Sequence, residues 1–78
     1  MNVYQTIAEM VADRFNKSVE DLSRDTEFIA DLSADSLDQI ELTMDIEEEF
    51  DLNEVPEETL MKIVTIGDLV DYVESVVE

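Results

Sequence analysis

The chain has 78 residues, enough for one small domain and no more. Its 22 acidic residues against 4 basic ones, a net charge of −18, exclude a nucleic-acid or anionic-membrane binder and favour partners with basic patches. With no Cys and no His it has no disulfide framework and no thiolate metal site, and it lacks the commonest general base.

A charge of this size argues for disorder, but a 45% hydrophobic content arranged in helical periods argues more strongly for a folded chain. The start, Met1-Asn2-Val3-Tyr4-Gln5-Thr6, shows no basic stretch followed by an apolar run, so no signal peptide is expected. Apolar runs are too short to span a bilayer, and a cytoplasmic location fits. One Gly and one Pro leave little turn chemistry for hairpins.

The first predicted helix runs from about Asn2 to about Phe15. Asn2 caps it with Gln5 as reciprocal partner, and Val3, Ile7, Met10, Val11 and Phe15 form its apolar stripe. Arg14 and Lys17 lie near its C-terminal end, where cations suit the dipole. From Asn16 to Asp35 the chain is mostly polar, anchored by Val19, Leu22, Phe28, Ile29 and Leu32; a loop this long in a small domain implies function. The second helix spans about Ser36 to Phe50, capped by Asp35 with Asp38 in its first turn. A short third helix begins near Pro56, a residue suited to the first helical position, and passes through Leu60 and Met61. The last begins near Ile66, capped by Thr65 with Asp68 three residues on, and carries Leu69, Val70, Val73, Val76 and Val77 at helical spacing. The expected fold is all-α: a single-domain four-helix bundle over residues 1–78, three helices longer and one short, with a long loop between the first and second.

The second helix has one apolar face too many. At about 100° per residue, Leu42, Ile46 and Phe50 share one side, while Leu37, Ile40 and Met44 share the other. Asp38, Glu41, Asp45, Glu48 and Glu49 fill an arc between them. A bundle helix needs one stripe for its core. The second stripe either packs under the loop and short helix or is exposed beside the acids; in the latter case it has the anatomy of a docking surface. Asp35, Leu37, Asp38, Ile40, Glu41, Met44, Asp45 and Glu48 are the candidate docking residues.

Ser36 lies at the start of this helix, between carboxylates. It fails as a hydrolytic nucleophile: the chain has no His, and no Lys stands within several residues to take its proton. A visiting enzyme that brings the base can modify it, and a phosphoester at a helix N-terminus is favoured by free amides and the dipole.

Asp35-Ser36-Leu37-Asp38, followed by Ile40-Glu41-Leu42 and Glu47-Glu48-Glu49-Phe50, resembles the acyl carrier proteins of dissociated fatty acid synthesis. The similarity covers essentially the whole chain, including Phe28, Asp31-Leu32, Ala34 and the segment Thr65-Ile66-Gly67-Asp68-Leu69-Val70-Asp71-Tyr72-Val73. It implies a carrier rather than an enzyme. Ser36 then receives 4′-phosphopantetheine from coenzyme A in a magnesium-dependent reaction run by a holo-synthase, and acyl groups ride as thioesters on the arm's thiol. The missing Cys is thereby explained, because the reactive sulfur is imported. The resemblance also implies shelter for the acyl chain among the helices, with Ile46, Ile63 and Val70 as candidate lining residues, and a monomer that meets enzymes with basic patches. Two departures stand out. The family usually has Gly where Ser33 stands, and the segment Pro56-Glu57-Glu58-Thr59-Leu60-Met61 is more apolar than usual.

Two other classes compete. A calcium loop counted from Asp31 needs Gly sixth and Glu twelfth, but Ser36 and Leu42 stand there, so no dedicated metal site is expected. A non-covalent acidic interaction module fits the charge but has no need of an apolar stripe beside a helix-start serine. Within the carrier class, polyketide, aminoacyl and D-alanyl carriers share the attachment chemistry; Asp35, Leu37 and the acidity favour fatty acid synthesis.

Overall fold

Local capping signals fix where the long helices begin. A computed structural model describes residues 2–77, with helices α1 (Val3–Phe15), α2 (Ser36–Phe50), α3 (Glu57–Lys62) and α4 (Ile66–Val76), and a 3₁₀ turn at Val19–Asp21. Asn2, Asp35 and Thr65 each accept the amide of the third residue of their helix, at 3.0, 2.8 and 3.0 Å. In α2 and α4 the partner side chain, Asp38 or Asp68, reaches back to the cap amide and completes a capping box. In α1 Gln5 does not reciprocate, because its amide donates to Glu9 one turn on, at 2.9 Å. Pro56 caps α3 from outside, one position earlier than expected.

Helices α1 and α2 both stop at a left-handed residue, Asn16 (φ 56°) and Asp51 (φ 54°), types that tolerate this region. The following amides, of Lys17 and Leu52, close back on Ala12 and Glu47 at 2.9 and 2.8 Å. These compact ends leave the chain free to turn sharply away.

The core gathers Ile7 and Val11 from α1, Leu42 and Ile46 from α2, and Ile66, Leu69, Val70 and Val73 from α4. α1 packs against both α2 and α4. Each such side chain, fully buried, is worth about 1.5–3 kcal/mol. The long loop contributes Leu22, Phe28 and Leu32 to the same cluster, with Val19 packed at its edge. Ile29, expected as a fourth buried anchor, is 64% exposed. Phe28 and Ile29 are successive residues of one turn; the core takes Phe28, and its neighbour points outward.

The loop is tied to the far side of the molecule. An isolated antiparallel bridge joins Glu27 and Thr65, with Phe28 N–H donating to the Val64 carbonyl at 3.1 Å and Ile66 N–H to Thr26 at 2.9 Å. Gly67, the chain's single glycine, donates its N–H to the Arg24 carbonyl at 2.8 Å. A Cβ on Gly67 would lie 2.8 Å from that same oxygen, so the close approach needs glycine. Arg24 also pairs with Asp71 of α4. Among the described residues no helix is long and apolar enough to cross a membrane.

Candidate functional site

Ser36 is the first residue of α2 and is exposed. The cap is Asp35, whose carboxylate accepts Asp38 N–H at 2.8 Å, while Asp38 accepts Asp35 N–H at 3.3 Å. The capping work is therefore done by Asp35 and Asp38. Among the described residues no side-chain hydrogen bond engages the Ser36 hydroxyl. It stands free at the positive end of a helix 15 residues long.

The chain delivers it there through Ser33, which adopts the left-handed region at φ 57°. That conformation costs an ordinary L-residue about 1–2 kcal/mol. Ala34 follows, buried, its N–H donating to the Phe28 carbonyl at 3.0 Å. A buried residue two positions before an exposed one fixes the approach to α2.

Beside Ser36 opens an apolar cleft of about 850 Å³ between α2 and α3. Ile40 and Met44 form one wall, Leu60, Met61 and Val64 the other, and Ser36 lies on its lining. The exposed stripe of α2 is real: Leu37, Ile40 and Met44 are 61%, 43% and 56% exposed. Ile29, Met61 and Val64 are exposed on the same cleft, so large apolar side chains left in solvent gather around one serine. Patches of this kind on small soluble domains mark interaction or ligand surfaces.

Half-buried polar groups of α2 tie it to the segments on either side of α3. Gln39 Nε2 crosses from α2 to the Ile63 carbonyl at the end of α3, at 2.8 Å. Glu47 accepts Val55 N–H at 2.7 Å, fixing the segment before α3. Thr43, buried among apolar neighbours, satisfies its hydroxyl on the Gln39 carbonyl at 2.8 Å. Sequence reasoning missed the two ties made by Gln39 and Glu47, since a polar residue on an acidic helix gives no sign of which carbonyl or amide it will meet.

Of the expected docking acids, Asp35 and Asp38 face each other across the first turn. Glu41 and Asp45 lie toward α1, where Arg14 bridges them at 3.4 and 2.7 Å. The hydrogen bond to Asp45 holds the Arg14 proton more tightly than usual, against a smaller opposing effect of burial. Glu48 lies with Asp45 and Arg14 on the shallow groove between α1 and α2. In the first turn of α4, Asp68 accepts the N–H groups of Val64 and Thr65 at 3.0 and 3.1 Å. These bonds favour its charged form and lower its pKa below the ordinary carboxylate value.

The profile of a family described as "Phosphopantetheine attachment site" matches residues 5–73. An acyl carrier protein of Wolinella succinogenes is 41% identical over 75 residues, spanning 96% of this chain and 97% of the relative. One of Helicobacter pylori is 40% identical over 75 residues, spanning 96% and 95%. Among solved structures, the acyl carrier protein from Enterococcus faecalis superposes with a TM-score of 0.81 at 32% identity, over 94% of this chain and 91% of that one. The chain belongs to the acyl carrier protein family. Acyl carrier proteins carry cargo and catalyse nothing, and their prosthetic group is 4′-phosphopantetheine.

The residues at the start of α2 fit an acyl carrier protein's group. The Ser36 hydroxyl is exposed, a phosphate carried on it would meet the N-terminus of α2, and the cleft beside it is apolar. Asp35 and Asp38 would repel such a phosphate, which would favour an arm standing off the surface. Of the lining residues expected from resemblance to acyl carrier proteins, Ile63 borders the cleft. Ile46 and Val70 do not; they are 1% and 0% exposed in the core between α1, α2 and α4.

Proposed function

We propose that Ser36 is the attachment residue and that the 78 residues act as one carrier domain for growing acyl chains in fatty acid synthesis. The observation that carries this is an exposed, unengaged hydroxyl at the start of α2 in a phosphopantetheine-attachment family. In loading, the Ser36 oxygen bonds to the phosphorus on the pantetheine side of coenzyme A. The pyrophosphate bond opens, the nucleotide half leaves, and the hydroxyl proton passes to a base supplied by a holo-synthase, since this chain has no His. The arm's thiol then holds acyl groups as thioesters.

The chain's own part is presentation. Asp35 and Asp38 lock the first turn so that the hydroxyl has a fixed position. Leu37, Ile40 and Met44 supply apolar anchors, and Asp35, Asp38, Glu41, Asp45 and Glu48 steer basic faces of the holo-synthase and the synthesis enzymes onto them. Such a small patch suits brief contacts by a monomer, because association itself costs several kcal/mol. A cytoplasmic location suits an arm that ends in a free thiol between cargoes, which glutathione and thioredoxin keep reduced there.

Intact mass after incubation with coenzyme A, magnesium and a holo-synthase tests this. A gain of one phosphopantetheine in the wild type and none in Ser36→Ala, with equal helicity, supports it. No gain in either leaves the acidic interaction module as the better reading.

A further inference from the structure

The acidic arc of α2 is not uniformly available. Asp35 and Asp38 engage only each other's backbone at the Ser36 end. One turn on, Arg14 reaches across from α1 and holds Glu41 and Asp45 together, at 3.4 and 2.7 Å. Among the described residues this guanidinium is the one cation paired with α2, on a chain with only 4 basic residues and none between Asp25 and Met61. The fork geometry of Arg suits two carboxylates at once, which a Lys would not match.

Resting on the docking face proposed above, we infer that Arg14 is a built-in competitor for partner enzymes: it neutralises the middle of the arc and thereby sets how strongly, and how selectively, basic faces dock. A partner whose cations gather at the Ser36 end meets two unpaired carboxylates. A partner that reaches along the helix must displace Arg14 before it gains Glu41 and Asp45. The pair is half exposed and surface-like, so the displacement is modest: exposed pairs are worth about 0.2–1 kcal/mol, or up to about fivefold in affinity. That is enough to rank partners without blocking any.

The test is loading kinetics of full-length variants by a holo-synthase at several salt concentrations, with folding checked by circular dichroism. Arg14→Gln is expected to lower KM about two- to fivefold at low salt, leave kcat unchanged, and steepen the salt dependence. The gain is expected to vanish when Glu41→Gln and Asp45→Asn are also present. Arg14→Lys, which keeps the charge but loses the fork, is expected to fall between wild type and Arg14→Gln. An unchanged or raised KM in Arg14→Gln overturns the inference. So does an equal drop in Arg24→Gln, whose partner Asp71 lies on α4, because the effect would then be net charge alone. Asp38→Asn is the control for the docking face: a raised KM upholds that face, and an unchanged KM rejects it independently of what Arg14 does.

Discussion

Ser33 is the position where local backbone energy and residue type disagree. Among the described residues three non-glycine residues hold positive φ, and two of them, Asn16 and Asp51, are types that tolerate it. Ser33, at φ 57°, is not. Its side chain is exposed and, among the described residues, makes no hydrogen bond, so Ser33→Gly removes nothing that packs. Relief of the left-handed penalty is worth about 1–2 kcal/mol. Glycine's extra freedom in the unfolded chain takes back about 0.5–1 kcal/mol. The net gain is centred on about 0.75 kcal/mol, or roughly 3–6 °C in melting temperature for a domain of this size. Thermal unfolding by circular dichroism measures it, with Ser33→Asn expected between wild type and Ser33→Gly, and Ser33→Val below wild type because a β-branched residue fits the region worst. If Ser33→Gly melts at or below the wild-type temperature, the strain is absent and the reasoning is wrong.

Gly67→Ala places a methyl group 2.8 Å from the Arg24 carbonyl oxygen, a backbone atom, and is expected to destabilise by about 1–3 kcal/mol; an unchanged denaturant midpoint would contradict this. Asp68 has a folded pKa below its ordinary value of 3.8, so its capping stability is fully present above that value and is lost as pH falls through the lower folded pKa. Asp68→Ala is therefore expected to cost about 1 kcal/mol at neutral pH, with the gap in melting temperature closing below about pH 4; a gap independent of pH would refute the charged-cap account. Raising salt from about 0.01 M to about 0.1 M shortens the screening length from about 30 to about 10 Å, and on a chain of net charge −18 this is expected to raise the melting temperature, a flat response showing that repulsion is not limiting.

How much of this was legible in the sequence depended on the range of the interaction. Asn2, Asp35 and Thr65 announced their helices because a cap and its partner lie three residues apart. The second stripe of α2 was legible for the same reason, as a period around one helix. Its exposure was not, since packing under the loop was equally consistent with the pattern. Ile29 was misread because an apolar residue in a loop does not show which way it points; the bridge from Glu27 to Thr65, which orients the turn, spans 38 positions of chain that no local pattern relates. Arg14 was read as a dipole partner at the end of its own helix, and its ties to Glu41 and Asp45, 27 and 31 residues away, appear only once α1 and α2 pack. For Ile46 and Val70 the apolar period allows both core packing and a lining role among the helices; they are buried in the core and do not border the cleft beside Ser36.

The central claim is that one particular hydroxyl is the mooring of the arm. The chain offers five serines, Ser18, Ser23, Ser33, Ser36 and Ser75, and two of them lie three residues apart. Fragmentation mass spectrometry of the enzymatically loaded protein reads the answer directly. The account predicts phosphopantetheine on the fragment bearing Ser36 and on no other; the group on Ser33 or any other serine would contradict it.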